Sequence, residues 1–465
     1  MRDMSIRWTT LSLSAALLTG CATPGWRPAP PAPGKGCFEV LPKVVRAGRE
    51  GTVAMRPLRP SCRLKAGDYE AAFYAMDDGP RFEAVGSSAP AGVRYRVAAK
   101  DGGLDLRHTF DGEQEHTLVV ASTGAGKAVE VLRAGLYSLE DDLFLRRPLK
   151  ADFHMHSDKS DGTDPPERVP AESRRVGLDA MALTDHRLYA PSRQAREAYA
   201  GLPVDLAIYP GEEVHAPDFS VHIVNFGGAF SVNDLVKKDE AAYRSEVRAI
   251  EEGLAGFPPG PDRFRYASSV WAFRKIAEGG GLGLFCHPSW TRRNRLNTSS
   301  DVTDRLLKER PFGALELIGG YGLDEAESNM LQAARYQEER SAGARIPIVG
   351  ASDAHGSAPG ETLGWYYTVV FSSGTGLQNL VRDIRDLYSV AVEAPPGQPP
   401  RAHGPYRLAK YAQFLLREVF PEHDALCEKE GRLMAKAVRG SAKARAELSR
   451  RQGETDALYR RLWQP

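Results

Sequence analysis

Hydrophobic and polar residues alternate in short stretches over the first third of the chain. These stretches cover residues 69–76, 93–98, 104–110, 116–122 and 128–132, and segments rich in Asp, Gly and Pro separate several of them. Short strands at this spacing are typical of a small β-sandwich. We therefore predict a β-rich N-terminal domain over residues 37–149, whose function the pattern does not indicate.

The pattern changes at residue 150, where short apolar runs begin to alternate with helical segments. Strands are predicted at 151–155, 180–183, 206–209, 282–285, 315–318 and 347–349, and helices at 165–176, 233–254, 270–278 and 325–341. Repeated β-α units predict an α/β domain over residues 150–395, with a parallel sheet that is either open or closed into a barrel. In a barrel, catalytic residues gather at the C-terminal ends of the strands.

A proline-rich segment at residues 395–400 follows this domain, and residues 401–465 are predicted to form helices that pack against it. With 465 residues, the chain is long enough for two to four domains of about 100–200 residues each. Its 42% hydrophobic and 26% charged residues are typical of a globular protein. The formal net charge of +1 provides no global attraction to nucleic acid, and no nucleic-acid partner is expected.

The amino terminus is built like a secretory signal. Arg2 and Arg7 precede an apolar stretch at residues 11–18, which is too short to span a bilayer. Residues 1–20 are therefore predicted to be a signal peptide rather than part of the fold.

Residues 18–21, Leu-Thr-Gly-Cys, resemble the lipobox of bacterial lipoproteins. The resemblance implies that Cys21 is acylated and becomes the first residue, and Ala22 in the next position implies sorting to the outer membrane. More than one acyl chain would anchor the protein stably in the cell envelope. The alternative is a simple signal peptide with an incidental cysteine. Residues 21–36, rich in proline, are predicted to form a semi-rigid tether.

Four cysteines remain beyond Cys21, and they allow three pairings. Cys37 and Cys62 are the plausible pair, because both fall in the same small N-terminal region. Cys286 and Cys427 are expected to be reduced residues of the core.

Histidines and carboxylates recur at or just past the ends of the predicted strands. In His154-Met155-His156, side chains two apart on a strand share a face and can approach one metal ion. Asp353-Ala354-His355 repeats this spacing. The full series of ligand-type residues at such positions is His154, His156, Asp161, His186, Glu213, His222, His287, Asp353 and His355.

This ordered series resembles the motifs of the polymerase and histidinol phosphatase (PHP) family of metallohydrolases. The motifs are His-x-His, Asp or His, Thr-Asp-His, Pro-Gly-x-Glu, His, His-Pro and Ser-Asp-x-His, over roughly residues 150–395. The resemblance implies a distorted seven-stranded (β/α) barrel, with the nine residues above as ligands of two or three divalent ions, usually Zn, Mn or Fe.

Elementary coordination chemistry agrees with that implication. Imidazoles and carboxylates suit borderline divalent ions, and nine ligands exceed what one tetrahedral ion can use. Metal ions can activate a water molecule, so no protein nucleophile is needed, and no Gly-x-Ser-x-Gly or His-Glu-x-x-His motif is present. The alternative is that these are ordinary hydrogen-bonded histidines at strand ends.

Three further residues lie next to the predicted ligands. Asp185 is predicted to support a ligand through a hydrogen bond, and Arg187 to bind a phosphate oxygen, although a surface salt bridge is an alternative for Arg187. His215 follows Glu213 by two residues and either faces the site or is an ordinary loop histidine, which is the interpretation we favour here.

Ser289, Trp290 and Tyr321 are expected in loops at the mouth of the site. A β-rich region before the barrel, with Asp-Phe-His-Met-His at the junction, resembles the carbaryl hydrolase-like branch of the family. That branch implies cleavage of carbamates or esters, whereas the wider family implies cleavage of phosphoesters.

The leading hypothesis is a metal-dependent phosphoesterase that acts on a small molecule with a metal-activated water. A carbamate or carboxyl-ester hydrolase with the same metal centre is the second hypothesis. A non-catalytic, metal-binding envelope lipoprotein is the third. The sequence leaves the substrate and the oligomeric state open.

Overall fold

The computed structural model describes residues 34, 36–78, 93–122, 129–219, 221–322 and 325–464. The predicted signal peptide (1–20), the lipidation site Cys21 and nearly all of the tether (21–36) lie outside these residues. Within the described ranges, no helix combines the length and the apolar character that crossing a bilayer requires.

Eight strands form two sheets in the N-terminal region. They are β1 (Phe38–Leu41), β2 (Val44–Arg46), β3 (Glu50–Pro57), β4 (Asp68–Ala75), β5 (Val93–Ala98), β6 (Leu104–Thr109), β7 (Glu115–Ser122) and β8 (Val129–Leu139). The strand orders are β1-β3-β6 and β2-β8-β7-β4-β5. Because successive side chains of a strand point to opposite faces, alternate residues of both sheets enter one buried cluster, including Val53, Leu106, Phe73 and Leu118.

Cys37 and Cys62 form a disulfide, which confirms the predicted pair. Cys286 and Cys427 are free and buried, as expected. The apolar core does not stop at residue 149, because the ring of Tyr137 on β8 lies 4.9 Å from that of Tyr411 in the C-terminal part. The domain boundary at residue 149 stays a prediction.

Strands and helices alternate through the middle of the chain. The strands are β9 (Arg147–Asp152), β10 (Ala180–Ala182), β11 (Ala207–Tyr209), β12 (Gly211–Val214), β13 (Ile223–Phe226), β14 (Leu282–Phe285), β15 (Thr291–Arg292), β16 (Arg295–Leu296), β17 (Ala314–Gly319), β18 (Ile348–Ala351), β19 (Tyr366–Ser372), β20 (Ser389–Glu393) and β21 (Arg401–His403). The helices are α1 (Asp141–Phe144), α2 (Val169–Arg175), α3 (Ala190–Ala198), α4 (Val232–Lys238), α5 (Glu240–Glu252), α6 (Pro261–Glu278), α7 (Ser300–Glu309), α8 (Ala326–Ser341) and α9 (Leu377–Arg385).

Eleven of these strands form two mixed sheets, of order β11-β10-β9-β19-β20-β21 and β12-β13-β14-β17-β18, and β15 pairs with β16 in a separate hairpin. The prediction of a purely parallel sheet is therefore wrong. The β9-β10-β11 and β14-β17-β18 pairs are parallel, whereas β12-β13-β14 and β9-β19-β20-β21 are antiparallel. Only eight residues separate β12 from β13, which suffices for an antiparallel return but not for the crossover that a parallel pair needs.

The two sheets approach each other at the C-terminal ends of their central strands. Two isolated parallel bridges join them there, Met155 with Ala354 and His186 with Glu213. The mixed α/β region is thus a curled, half-barrel arrangement, and a closed seven-stranded barrel stays a prediction. Both bridges lie among the predicted metal ligands, so the strand ends bring those ligands together.

Four helices follow, α10 (Tyr406–Glu418), α11 (Phe420–Ala437), α12 (Ala442–Arg451) and α13 (Glu454–Leu462), in the region predicted to be helical. Helix α11 packs closely on α2 at Gly431, where a Cβ atom would lie 2.6 Å from the carbonyl oxygen of Ala171. Ion pairs add to the packing of α11, since Arg174 Nε on α2 lies 2.7 Å from Glu430 and Lys150 Nζ on β9 lies 2.9 Å from Asp424. The C-terminal helices are therefore an integral part of the core.

Candidate metal centre

The nine predicted ligands lie in one connected cluster at the ends of the strands. His154 and His156 follow β9, His186 follows β10, His287 follows β14, and Asp353 and His355 follow β18. Glu213 lies on β12, His222 directly precedes β13, and Asp161 lies in the loop before α2. Three residues in this zone have left-handed backbone, which is costly for a non-glycine residue and concentrates at functional sites. These residues are Arg187 (φ 60°), His287 (φ 28°) and Asp353 (φ 47°).

The inner part of the cluster is largely buried, and its most exposed side chain is Asp353, at 16%. His154 Nε2 lies 3.2 Å from Asp353 Oδ1 and 3.5 Å from Glu213 Oε2. His156 Nε2 lies 2.9 Å from Asp353 Oδ1 and 3.6 Å from Glu213 Oε2. Two imidazoles thus face two carboxylates, as the shared strand face of His154 and His156 predicts.

The outer part opens toward solvent and is built around Asp161, whose side chain is 52% exposed. Asp161 lies 3.1 Å from His186 Nε2, 3.4 Å from His355 Nε2 and 3.8 Å from His156 Nδ1. One donor atom from each of these four residues lies within 4.8 Å of the others, close enough for one ion. His156 belongs to both parts, so the inner and outer groups form one centre.

Glu213 is the carboxylate on which several imidazoles converge. Its Oε2 lies 2.5 Å from His186 Nδ1, and its Oε1 lies 2.7 Å from His222 Nδ1 and 3.3 Å from His215 Nε2. Burial acts to raise the pKa of Glu213, but the neighbouring imidazoles of His222 and His215 outweigh it and hold the pKa well below its usual range. Glu213 therefore carries a buried negative charge.

Several buried atoms of the cluster have no hydrogen bond of good geometry within the described residues. They are both carboxylate oxygens of Glu213, His154 Nε2 and His156 Nδ1. A buried polar atom without a partner costs about 1–3 kcal/mol, and more when it is charged. Divalent cations would satisfy all of these atoms, and the oxygen and nitrogen donors suit borderline metals. The residues therefore fit the ions that the sequence implies.

Glu316 supports the centre and was not predicted. Its two carboxylate oxygens lie 2.9 Å from His154 Nδ1 and 3.0 Å from His287 Nδ1, and its side chain is fully buried. A carboxylate that holds Nδ1 of a histidine fixes the ring and leaves Nε2 for a metal. The available sequence signal was one acidic residue inside the apolar strand β17.

Asp152 is a second supporting residue that sequence reasoning missed. One of its oxygens accepts hydrogen bonds from the backbone amides of His154 (3.2 Å) and Ser352 (3.1 Å). Burial raises the pKa of Asp152 to about 7. This side chain thereby ties the segment of His154 and His156 to the segment of Asp353 and His355.

Asp185 touches none of the ligand side chains directly. Its carboxylate accepts hydrogen bonds from Ser157 N (2.9 Å), Ser157 Oγ (2.8 Å) and Ser160 Oγ (2.6 Å). These bonds fix the loop from Ser157 to Ser160, which directly precedes Asp161. Asp185 therefore anchors this loop, and its predicted support of a ligand stays a prediction.

Arg187 lies on the surface beside the cluster. Its backbone amide donates to the carbonyl of Glu213 at 2.9 Å, and its carbonyl accepts from Lys237 Nζ at 2.8 Å. Within the described residues its guanidinium has no acidic partner, so the alternative of a structural salt bridge gains no support.

Of the three residues predicted at the mouth, Trp290 lies against the cluster. Its ring centroid is 5.3 Å from that of His222 and 6.0 Å from that of His287. Tyr321 is instead buried behind the site, where its hydroxyl donates to the carbonyl of His287 at 3.3 Å. Ser289 is half-buried, and its backbone amide donates to Gln332.

Comparison with known proteins finds similarity over part of the chain. No protein-family model matches it. Phosphoribosyl 1,2-cyclic phosphate 1,2-diphosphodiesterase from Eggerthella lenta is 29% identical over 136 residues, which cover 28% of this chain and 43% of that protein. The chain thus matches less than half the length of this curated relative.

Similar solved structures include a two-domain protein from Bacteroides vulgatus that contains a predicted PHP-like metal-dependent phosphoesterase. It is 18% identical, with a TM-score of 0.40 over 58% of this chain and 70% of that one. A putative metal-dependent phosphoesterase from Bifidobacterium adolescentis is 22% identical, with a TM-score of 0.30 over 45% of this chain and 89% of that one. An amidohydrolase from Chromobacterium violaceum is 19% identical, with a TM-score of 0.30 and coverage of 46% and 89%.

Proposed function

We propose that the chain is a metal-dependent hydrolase that cleaves phosphoesters of a small molecule, with two or three Zn, Mn or Fe ions held by the nine predicted ligands. The observation that carries the proposal is the buried carboxylate of Glu213, on which several imidazoles converge without hydrogen bonds of good geometry. Bound divalent ions would supply an activated water and would offset charge on the phosphoryl oxygens.

The chain's own residues provide the rest of the site. Asp152 and Glu316 fix the orientation of His154, and Asp185 fixes the loop of Asp161. Arg187, exposed at the rim, would bind a phosphoryl oxygen by a charge-assisted hydrogen bond.

A second basic element supports an anionic substrate. The hairpin β15-β16 follows Trp290 directly and exposes Arg292, Arg293 and Arg295 to solvent. Among the described residues, none of these three guanidiniums pairs with an acidic side chain. A concentration of unpaired positive charge raises the local concentration of anions.

One observation favours the second candidate, a carbamate or carboxyl-ester hydrolase. The ring of Trp290 packs against the imidazoles of His222 and His287, where it would contact an apolar or aromatic leaving group. The metal centre would be the same, and only the substrate pocket distinguishes the two activities.

The test is a substrate comparison. Purified protein with Mn or Zn is assayed on nitrophenyl phosphate, bis-nitrophenyl phosphate, and nitrophenyl or naphthyl esters and carbamates. We expect phosphoester turnover at least about tenfold above that of the carboxyl esters, with loss of activity in His154→Ala. Arg187→Ala should cost about 1.5–3 kcal/mol of transition-state stabilisation, whereas Arg193→Ala, an exposed arginine of α3, should cost little. Turnover of carbamates alone, with no effect of Arg187→Ala, would refute the phosphoesterase assignment.

A further inference from the structure

His215 lies in the metal cluster, although neither the motif series nor our sequence analysis includes it among the ligands. It follows β12 directly, and its side chain is only 16% exposed. Its Nε2 atom lies 2.9 Å from His186 Nδ1 and 3.3 Å from Glu213 Oε1. One donor atom from each of these three residues lies within 4.8 Å of the others.

The surroundings of His215 hold the ring in this position. Its backbone amide donates to Asn233 Oδ1 at 2.9 Å, and Asn233 Nδ2 donates to the carbonyl of Glu213 at 3.0 Å. The ring lies between those of His186 and His222, with centroids at 4.8 and 4.9 Å. Asn233, at the start of α4, thus fixes the backbone of both Glu213 and His215.

The chemistry around Glu213 favours an ion over a simple hydrogen-bond network. Three imidazole nitrogens, from His186, His215 and His222, lie within 3.3 Å of its two carboxylate oxygens. Yet neither oxygen receives a hydrogen bond of good geometry in the described part of the chain, although both are buried. A cation among these atoms would satisfy the carboxylate and the nitrogen lone pairs together, and three histidines with one carboxylate is a donor set that zinc accepts.

We propose that His215 is a tenth metal ligand, which binds one ion through Nε2 together with Glu213 and with His186 through its Nδ1. His186 Nε2 meanwhile keeps its proton and donates it to Asp161 in a hydrogen bond. This inference rests on the proposed function only in that it requires a metal centre. The competing role is that of a positioning residue, in which His215 Nε2 accepts a hydrogen bond from His186 and never touches the metal.

A crystal structure of the zinc-loaded protein separates the two roles. With anomalous scattering recorded at the zinc edge, we expect an anomalous peak about 2.0–2.1 Å from His215 Nε2, the length of a Zn–N bond. If every peak lies more than about 3 Å from that atom, while Nε2 stays in hydrogen-bond distance of His186, the inference is overturned.

Metal binding in solution provides the second readout. Zinc content is measured at fixed free zinc, set by a competing chelator, for the wild type and for His215→Ala, His215→Gln and His403→Ala. The glutamine keeps a hydrogen-bond acceptor, and His403 is a half-exposed histidine outside the cluster, so its variant is the matched control. We expect both His215 variants, but not His403→Ala, to lose at least about tenfold in affinity for one ion. If His215→Gln binds zinc like the wild type, His215 is a positioning residue only.

These outcomes are independent of the substrate assay. Zinc bound through His215 in a protein that hydrolyses no phosphoester would refute the proposed function but not this ligand. An active phosphoesterase whose zinc ions avoid His215 would refute the ligand alone. Circular dichroism of each variant checks that the fold is kept, and if His215→Ala unfolds, the comparison of His215→Gln with His403→Ala still decides the question.

Discussion

The metal centre joins residues that lie close together in the sequence to residues that lie far apart in it. His154 and His156 share a strand face, and their spacing alone predicts that they meet one ion. Glu316 lies 162 residues from His154, so only the folded chain shows that the two side chains are in contact. His215 was interpreted as a loop histidine, because a spacing of two residues after Glu213 does not fix the direction of a side chain beyond the strand end.

Replacing Glu316 tests whether the supporting residues matter for the metal. Glu316→Gln removes the negative charge that holds Nδ1 of His154 and of His287. We expect metal affinity to fall about 10–100-fold, the usual effect of removing such a partner. The measurement is metal content in competition with a chelator, and Glu327→Gln, at an exposed position of α8, is the control. Wild-type affinity in Glu316→Gln would show that this contact does not tune the centre.

At the scale of elements, local pattern predicted the strands and helices more reliably than their pairing. Helices were expected at 325–341 and 165–176, and the structure has α8 at Ala326–Ser341 and α2 at Val169–Arg175. The single helix predicted at 233–254 is divided into α4 and α5, because Asp239 caps α5 by accepting from Ala242 N at 2.8 Å. The pattern predicts no strand at β19, which pairs antiparallel with β9.

Antiparallel pairing was missed for a physical reason. Alternation of strands and helices favours parallel neighbours, but pairing direction depends on which strands become adjacent in three dimensions. Between β19 and β20, the helix α9 intervenes and the strands still pair antiparallel. The local periodicity of the sequence does not indicate whether two strands pair parallel or antiparallel.

The contact between α11 and the α/β region predicts a pH dependence of stability. His423 is buried between two carboxylates, with Nε2 at 2.9 Å from Asp179 and Nδ1 at 3.0 Å from Asp424. Burial acts to lower the pKa of His423, but the charge of Asp179 outweighs it, and the pKa is raised well above its ordinary value of 6.5. Folding therefore favours the protonated imidazole.

The sign follows from proton linkage. The stabilisation by protonated His423 is fully present below pH 6.5, where His423 is protonated in the unfolded chain as well. It declines as the pH rises from 6.5 toward the pKa of His423 in the folded protein. A difference of one bound proton between the folded and unfolded states changes the free energy of unfolding by at most about 1.4 kcal/mol per pH unit. Urea unfolding of the wild type is measured at pH 6.5, 7.5 and 8.5, and the urea concentration at the midpoint should fall as the pH rises. In His423→Gln the midpoint should change less with pH. His403→Gln is the control, and equal slopes for wild type and His423→Gln would contradict the prediction.

At the scale of the whole molecule, we propose that the protein is anchored in the bacterial envelope through Cys21, which lies outside the described residues. The lipobox-like residues 18–21 and the proline-rich tether support this proposal. Cys21→Ser, expressed in a bacterial host that processes lipoproteins, should move the protein from the membrane fraction to the soluble fraction. Cys427→Ser, at a buried reduced cysteine, should leave the distribution unchanged. Membrane retention of Cys21→Ser would contradict the anchor.

The order of strands and helices along the chain was partly predictable. The β-rich start, the α/β middle and the helical end follow from changes in local pattern, and the structure has strands and helices in that order. The packing between these regions was not predictable, since ion pairs such as Lys150 with Asp424 join residues 274 positions apart. The C-terminal helices therefore contribute to the same core as the strands that carry the metal ligands.

We propose above that the clustered histidines and carboxylates hold divalent metal ions. Metal analysis by mass spectrometry, on protein purified without chelator, tests it most directly. We predict about two to three transition-metal ions per chain for the wild type, since nine donors exceed the needs of one ion, and a clear loss of metal in His154→Ala. A wild-type protein that holds no transition metal, and gains none on addition of Mn or Zn, would contradict the account.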